Sequence, residues 1–292
     1  MSEKELERCD YDKLYQVEDA LHIDERTRVC YQGVPGAFSE QATAAFFGEQ
    51  VKRENVPAFE DVLIALEEGR ADYGVLPVEN SSAGFVSGSY DLLLKHDVFI
   101  TGEKILKIEQ SLLGLPGAGI GDIDTVYSHP QGLLQSKTFL SRYDWKQIAY
   151  DNTAMAAQKV KQEGLKNQAA IASVRAAKLY GLTVLQEAIN FANTNATRFF
   201  ILRKGKIYQK NAKKITICFS LPHKSGTLYN ILGHFIHNDI NMTSIESSPL
   251  EDSPWEYKFF ISFEGNLKEA HVRQAIDLIR RDTLYFKLLG NY

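Results

Sequence analysis

Residues 28–203 repeat one pattern that constrains the fold more than any other feature of the chain. A short apolar strand is followed by a turn of glycine or small polar residues and then by an amphipathic helix. Strands that alternate with helices predict an α/β sheet with helices on both faces. The pattern occurs in two blocks, about 28–113 and 114–205. We therefore predict two α/β lobes with a cleft between them.

After residue 203 the pattern of strands and helices changes. Residues 204–214 are basic and polar and are predicted to be a linker. Residues 213–292 predict the element order βαββαβ, which is the ferredoxin-like arrangement. The first helix of this part is expected over 226–237, with Ser225 as its N-cap. Residues 1–27 are rich in charge and are predicted to be a tail or a linker.

Composition excludes several classes of protein. The net charge is −4 over 292 residues and no basic stripe is visible, so no nucleic-acid partner is expected. The apolar runs are too short to cross a bilayer, and the charged start carries no signal-peptide core. Cys9, Cys30 and Cys218 have neither metal-binding nor disulfide spacing. We predict a cytoplasmic, reducing location.

Polar residues follow two predicted strands at their carboxyl ends, where α/β proteins bind ligands. Segment 79–84 can bind hydroxyls and carboxylates, but the same residues also suit an ordinary turn. Ser128 and His129 precede a helix that begins with Pro130. Adjacent side chains at a strand end point apart, so a nucleophilic Ser–His pair is not predicted. His129 is interpreted as a helix cap.

Segment 33–39 contains two glycines and leads into a helix for which Ser39 is the predicted N-cap. Backbone N–H groups at such a helix start suit an anion. The segment lacks the Lys of a phosphate-binding loop and the third Gly of a dinucleotide fingerprint, so a nucleotide site is not predicted. Taken alone, it indicates an ordinary strand–helix turn.

Thr197 and Arg198 stand at the start of a predicted buried strand, 199–202. The planar guanidinium of Arg matches a carboxylate, and Thr adds one proton for hydrogen bonding. Taken alone, such a pair predicts a cap and a surface charge. Combined with the other polar segments, it predicts a site for an anionic ligand.

In this order, the segments resemble prephenate dehydratase with a C-terminal ACT regulatory domain, over about residues 28–290. The matching segments are Tyr31–Gly33 with Gly36 and Phe38–Glu40, Leu76–Ser81, Ser128–Pro130, Asn195–Phe199 and Glu246–Pro249. Residues 1–27 look like the end of a fused chorismate mutase. They are too short to form that helical domain, so no mutase activity is expected.

The resemblance implies a periplasmic-binding-protein-like catalytic domain over 28–205. It also implies conversion of prephenate to phenylpyruvate, with loss of water and carbon dioxide, in L-phenylalanine biosynthesis. No metal or organic cofactor is implied. Thr197 matches the family's essential Thr and is expected to be the general acid, and Arg198 should orient a substrate carboxylate. Glu79 either bonds the leaving hydroxyl or holds the loop. Further substrate contacts are implied at Gly36, Phe38, Ser39, Asn80, Ser81, Ser128, His129, Gln131, Asn195 and Phe199.

The ACT resemblance implies L-phenylalanine as an inhibitor bound between the small domains of two subunits, hence a homodimer or homotetramer. The implied effector contacts are Ser225, Gly226, Thr227, Leu228, Asn241, Glu246 and Ser247. Two residues depart from the family pattern. Ser248 stands where the family has Arg, and Thr227 stands where it more often has Ala. Phenylalanine control that is weak, altered or absent therefore stays open.

Two other functions fit parts of the sequence. Arogenate dehydratase performs the same chemistry on the transaminated substrate, and no residue here discriminates the two. A non-catalytic sensor of small carboxylates would use the same fold, since fold does not fix function. The intact run Thr197–Phe199 argues against the sensor.

Overall fold

The computed structural model describes residues 10–191, 194–250 and 253–292. The helices are α1 (Tyr11–Leu14), α2 (Phe38–Phe47), α3 (Phe59–Glu67), α4 (Ser89–Lys95), α5 (Pro130–Gln135), α6 (Lys137–Leu140), α7 (Thr153–Glu163), α8 (Val174–Tyr180), α9 (Thr227–His237) and α10 (Ala270–Asp282), with a 3-10 turn at Ile120–Asp122. None of the helices in this part of the chain is long and apolar enough to cross a membrane.

The strands follow the predicted alternation. They are β1 (Gln16–Glu18), β2 (Arg28–Gln32), β3 (Lys52–Val56), β4 (Tyr73–Asn80), β5 (Gly84–Phe85), β6 (Val98–Lys107), β7 (Ser111–Gly114), β8 (Thr125–Ser128), β9 (Lys146–Ala149), β10 (Gln168–Ala172), β11 (Thr183–Gln186), β12 (Ala196–Lys204), β13 (Ile207–Gln209), β14 (Lys214–Ser220), β15 (Met242–Leu250), β16 (Ser253–Glu264) and β17 (Tyr285–Asn291).

The chain divides into two compact units. The two-lobed unit comprises 23–89 and 104–200, and the C-terminal unit comprises 10–22 together with 90–103 and the described residues of 201–292. This division differs from the predicted boundaries at several places. Residues 10–22, predicted as part of a tail, and residues 201–205, predicted as the end of the catalytic domain, group with the C-terminal part. Segment 90–103, which was assigned to the first lobe, groups with the C-terminal part.

The two-lobed unit contains two sheets, in agreement with the predicted α/β class. In the first, β2 lies parallel to both β3 and β4, and β12 lies beside β4. In the second, the strand order is β11-β7-β10-β8-β9, with β8 parallel to β9 and β10. Segments 33–37 and 81–83 therefore follow the carboxyl ends of neighbouring parallel strands, which is where such sheets bind ligands.

The C-terminal unit contains the predicted βαββαβ order. Its antiparallel strands lie in the order β15-β16-β14-β17, and α9 and α10 bury their apolar faces on one side of that sheet. The core there includes Ile231 and Phe235 of α9, Val272 and Ile276 of α10, and Phe263 of β16. The spacing of the apolar residues on each helix matches one helical face, which is why the sequence predicted these elements.

Both segments predicted to be polar connections form ordered structure in the C-terminal unit. In the linker, β13 pairs in parallel with β1, and Tyr208 is 2% exposed. In the predicted tail, Tyr11 is 5% exposed and its hydroxyl donates to Asp277 at 2.7 Å. The prediction failed because single aromatic residues anchor both segments, and these give no periodic pattern. Residues 1–9, including Cys9, lie outside the described residues.

Two predicted helix caps are wrong. Helix α2 begins at Phe38, so Ser39 lies inside its first turn, where it is 7% exposed. At α9 the N-cap position is Gly226 instead of Ser225. Its φ of +84° lies in the left-handed region, which glycine adopts more readily than other residues.

Each unit contains one buried cysteine in the described part of the chain. Cys30 lies in β2 and Cys218 in β14, and both have no exposed surface. Burial raises the pKa of each thiol to about 12. Both side chains therefore pack as apolar groups.

Candidate active site

The side chain of Asn80 joins the end of β4 to the start of β12. Its Nδ2 donates to Thr197 Oγ1 and to Asn195 Oδ1, both at 2.9 Å. Its Oδ1 accepts from the backbone N–H groups of Ser82 and Ala83, both at 3.0 Å. One amide therefore fixes the turn after β4 and the position of the Thr197 hydroxyl.

Ser81 reinforces the same junction. Its backbone N–H donates to the carbonyl of Ala196 at 2.9 Å, and its Oγ accepts from the N–H of Ala196 at 2.9 Å. The Ser81 hydroxyl then donates to the carbonyl of Thr194 at 3.0 Å. The polar residues that follow β4 thus pair with the backbone of the catalytic candidate segment.

Thr197 is half-buried, and its oxygen accepts the hydrogen bond from Asn80. A hydroxyl carries one proton, and Asn80 occupies a lone pair, so the O–H bond points elsewhere. Among the described residues no group accepts that proton. The geometry leaves it available to a bound molecule.

Arg198 and Glu79, the sequence neighbours of Thr197 and Asn80, form an ion pair between the same two strands. Arg198 Nε lies 3.4 Å from Glu79 Oε2, and the two side chains are 19% and 29% exposed. Solvent screens such a half-buried pair less than a surface pair. The pair therefore offers a positive charge suited to a carboxylate, held in position by the acidic group.

Asn195 is 1% exposed and supplies a further donor. Its Oδ1 accepts from Asn80 and from Ser82 Oγ, the latter at 3.3 Å. Its Nδ2 is buried, and no group in the described ranges accepts from it. An unsatisfied buried donor costs about 1–3 kcal/mol, which an incoming oxygen ligand would recover.

Gly36 lies where the two lobes meet. Its φ is +89°, and an added Cβ would stand 3.2 Å from the Cα of Ala176. Its carbonyl accepts from Ser173 Oγ at 3.1 Å, and its N–H donates to Glu40 at 2.8 Å. Because this amide is already engaged, Gly36 here serves the contact between lobes. Phe38 is half-buried at the start of α2.

A charged cluster joins the lobes next to this contact. Arg175 of the second lobe contacts Glu40 at 2.8 Å and Glu49 at 2.7 Å, and Arg53 contacts both carboxylates from the first lobe. Burial would raise the pKa of Glu40, but hydrogen bonds from Arg175 and Gly36 hold it below the usual value. Hydrogen bonds from Arg175 and Arg53 lower the pKa of Glu49 to about 2.

Two expected substrate contacts lie in the interior. Ser128 has no exposed surface, and its Oγ donates to the carbonyl of Ile171 at 2.7 Å. Phe199 is 1% exposed within the core. His129 is the helix cap it was interpreted to be, because its Nδ1 accepts from the N–H of Gln131 at 3.2 Å. Desolvation of the ring lowers the pKa of His129.

Comparisons with known proteins bear on this arrangement. The family model for prephenate dehydratase matches residues 29–207. An arogenate dehydratase/prephenate dehydratase from Arabidopsis thaliana is 36% identical over 285 residues, covering 91% of this chain and 68% of that protein. The bifunctional chorismate mutase/prephenate dehydratase of Pseudomonas aeruginosa is 34% identical over 274 residues, covering 93% of this chain and 74% of that protein.

The chain belongs to the prephenate dehydratase family.

Solved structures agree with membership of the prephenate dehydratase family. Prephenate dehydratase from Arthrobacter aurescens, in complex with L-Phe, has a TM-score of 0.84 at 25% identity, covering 91% of this chain and 89% of that one. A protein described as a quorum quenching acylase has a TM-score of 0.83 at 29% identity, covering 90% of this chain and 96% of that one. The periplasmic-binding-protein-like fold of the prephenate dehydratases is thus confirmed for the larger part of this chain.

The residues expected to bind an effector in this family member are only partly assembled. Thr227 and Leu228 line a cavity of about 100 Å3 in the C-terminal unit, together with residues of β16. Its further lining residues include Leu221, Lys224, Glu256, Tyr257 and Phe259. Ser225, Gly226, Asn241 and Ser247 are exposed, and Glu246 is half-buried on β15.

The contact between the lobes was not predictable from the spacing of residues in the sequence. Arg175 is the second residue of α8, and a cation is unfavourable at a helix N-terminus unless an anion lies nearby. That local conflict was the signal that Arg175 has an acidic partner. Its partners, Glu40 and Glu49, are more than 120 residues away in sequence, so no spacing could identify them.

Proposed function

We propose that this chain is a prephenate dehydratase that converts prephenate to phenylpyruvate in L-phenylalanine biosynthesis. One observation carries the proposal. Asn80 donates to the oxygen of Thr197, and the proton of that hydroxyl is left for a ligand. A donated proton is what the reaction requires, because the hydroxyl group of the substrate must leave as water.

In the proposed reaction the bond between the ring and its carboxylate breaks, and carbon dioxide is released. The electron pair of that bond enters the ring, the ring carbon–oxygen bond breaks, and the departing oxygen takes the proton of Thr197. The ring becomes aromatic, and Thr197 regains a proton from solvent. One proton is consumed in each turnover.

Arg198 and Glu79 take complementary roles in this mechanism. The guanidinium of Arg198 binds and orients a substrate carboxylate. The contact between Glu79 Oε2 and Arg198 Nε at 3.4 Å supports a positioning role for Glu79 over direct bonding to the leaving hydroxyl. The buried Nδ2 of Asn195 donates to a further substrate oxygen.

The proposal is tested with Thr197→Ala and Thr197→Ser. The alanine variant should lower kcat for phenylpyruvate formation by roughly 10²–10⁴-fold, which is the usual contribution of a positioned acid. The serine variant keeps a hydroxyl on the same backbone and should retain much of the activity. If the alanine variant stays active, a residue other than Thr197 is the general acid.

Arogenate is the second candidate substrate, since the plant relatives include arogenate dehydratases. Rates of wild-type protein on prephenate and arogenate, measured at equal concentration, decide the preference. No conversion of prephenate or arogenate would refute the dehydratase proposal and leave a sensor function.

We also propose that L-phenylalanine binds the cavity between α9 and β16. Its ammonium would lie near Glu256, and its ring would pack on Leu228 and Phe259. Ser248 and Thr227 depart from the family pattern, so calorimetry should give weaker binding than a relative with both usual residues. If calorimetry detects no heat of binding at millimolar phenylalanine, the proposed effector site is refuted.

The family resemblance implies that a second subunit completes the effector site, and we therefore propose that the chain forms a homodimer or homotetramer. We further propose a cytoplasmic location. Two buried reduced thiols, Cys30 and Cys218, are compatible with a reducing compartment. Light scattering measures the assembly, and imaging of a tagged chain in its own cell measures the location.

A further inference from the structure

Helix α4 covers the second face of the antiparallel sheet in the C-terminal unit. Strand β16 alternates between the two faces. Phe259 stacks on Phe219 and joins the core under α9 and α10. Phe260 faces the opposite way and contacts Tyr90 of α4, with ring centroids 4.8 Å apart. The sheet therefore has helices on both sides.

Two lysines of the sheet hold the two ends of α4. Near the start of the helix, Lys258 Nζ lies 2.8 Å from Asp91 Oδ1, and the side chain of Lys258 is only 10% exposed. At the other end, Lys287 Nζ donates to the carbonyls of Leu93, Leu94 and His96 at 2.8, 3.2 and 3.0 Å. A cation among the last carbonyls of a helix satisfies them and complements the helix dipole.

The same strand contributes to the candidate effector cavity. Tyr257 and Phe259 line that cavity, and Lys258 lies between them with its side chain on the other face. Successive residues of a strand point to opposite faces, so a ligand that displaces the strand also displaces Lys258. Strand β16 thus connects the cavity with α4.

Helix α4 is in turn connected to the catalytic candidates by a short segment. Residues 81–88 run from Asn80 to the first residue of α4. Asn80 holds the hydroxyl of Thr197, and Glu79 contacts Arg198. A displacement of α4 therefore acts on the backbone that carries both contacts.

We propose that Lys258 and Asp91 are positioning residues that transmit occupancy of the effector cavity to the Glu79–Asn80 segment. This inference rests on the proposed function and names how the same site is regulated. An ion pair in a poorly hydrated place resists separation, because parting leaves an uncompensated charge. Strand β16 and helix α4 consequently move together.

The test compares Lys258→Met and Asp91→Asn with wild type. In each protein we measure kcat and KM for prephenate with and without L-phenylalanine, and the Kd of L-phenylalanine by calorimetry. Coupling between two sites is typically about 5–150-fold. The inhibition factor is the ratio of kcat/KM without L-phenylalanine to kcat/KM with it. We expect this ratio to fall to within about twofold of 1 in both variants, while phenylalanine still binds.

Two further variants serve as controls. Asp282→Asn removes the acid of the His234–Asp282 pair, which joins α9 to α10 and does not contact α4. It should leave inhibition unchanged. Lys258→Arg retains the charge and should restore inhibition. If the single variants fold poorly, Lys258→Met/Asp91→Leu removes both charges together and leaves neither unpaired.

Hydrogen exchange separates failure of this inference from failure of the proposed function. Because the ion pair holds α4 with or without effector, Lys258→Met should speed exchange over residues 79–95 at least tenfold, and Asp282→Asn should not. Unchanged exchange overturns the inference whatever the activity. An inhibited wild type with equally inhibited variants also overturns it, whereas a wild type inactive on prephenate and arogenate overturns the proposed function.

Discussion

At the scale of single residues, the candidate chemistry depends on the direction of one O–H bond. Thr197 was visible in the sequence because it stands beside Arg198 before an apolar strand. Its orientation was not visible, because the donor that sets it comes from β4, more than a hundred residues earlier. For the same reason the sequence could not show that Ser128 points into the core, towards Ile171.

Asn80→Asp tests this orientation. An ionised carboxylate only accepts hydrogen bonds, so the substitution would take the proton of Thr197 and turn it away from the substrate. We expect kcat on prephenate to fall by about 10²-fold, similar to the loss of one oxyanion donor in other enzymes. Steady-state kinetics measure the effect. Asn230→Asp, on the exposed side of α9, should leave kcat unchanged, and equal rates in both variants would contradict the proposed orientation.

At the scale of elements, the strand–helix alternation predicted most of the two-lobed unit. The elements that escaped prediction are short and have little apolar content, such as β3 with its sequence Lys-Arg-Glu-Asn-Val. Such strands are stabilised by their neighbours in the sheet, and their own sequence carries little signal. The contact between α2 and α8 was missed because it consists of charges that meet only in the folded chain.

Arg175→Met tests the charged contact between the lobes. The usual pKa of Glu49 is 4.5, and Arg175 and Arg53 lower it to about 2 in the folded chain. A carboxyl group with a lowered pKa stabilises the fold above its unfolded pKa, and this contribution is lost as the pH falls towards the folded value. At pH 7 the variant should lose about 1–3 kcal/mol. That is less than for a fully buried pair, because Arg175 is 27% exposed.

The pH dependence provides the decisive measurement. The difference in Tm between wild type and Arg175→Met should be largest near neutral pH and should shrink from about pH 4.5 downwards. Thermal unfolding at several pH values measures it. Arg142→Met, an exposed arginine in the same lobe, should shift Tm little at any pH. A difference that stays constant down to pH 3 would show that the carboxylates do not depend on Arg175.

At the scale of the whole molecule, the chain does not divide where its composition changes. Residues 10–22 and segment 90–103 group with the C-terminal unit, although residues 23–89 between them belong to the other unit. Length and local pattern predicted a catalytic part and a small βαββαβ part. They could not predict this grouping, because it depends on contacts between residues far apart in sequence, such as Tyr11 and Asp277.

Substitutions at Tyr11 test how much the N-terminal segment contributes to the free energy of unfolding. Tyr11→Ala should lower the free energy of unfolding by about 3–5 kcal/mol, the usual cost of deleting a buried aromatic side chain. Tyr11→Phe keeps the ring and removes the hydroxyl that bonds to Asp277, and it should cost about 1 kcal/mol. Equilibrium urea unfolding followed by circular dichroism measures both. If the alanine variant unfolds at the wild-type urea concentration, the segment is a dispensable tail.

Each unit contains one buried thiol whose alkylation reports local opening of that unit. Cys30 lies in the two-lobed unit and Cys218 in the C-terminal unit, and neither has exposed surface. A thiol with a pKa of about 12 is almost fully protonated at neutral pH, so an alkylating reagent reaches it only when its surroundings open. In a Cys9→Ser background, mass spectrometry of the two labelled peptides would yield separate opening rates. The same labelling with substrate or phenylalanine added would show which unit each ligand protects from opening.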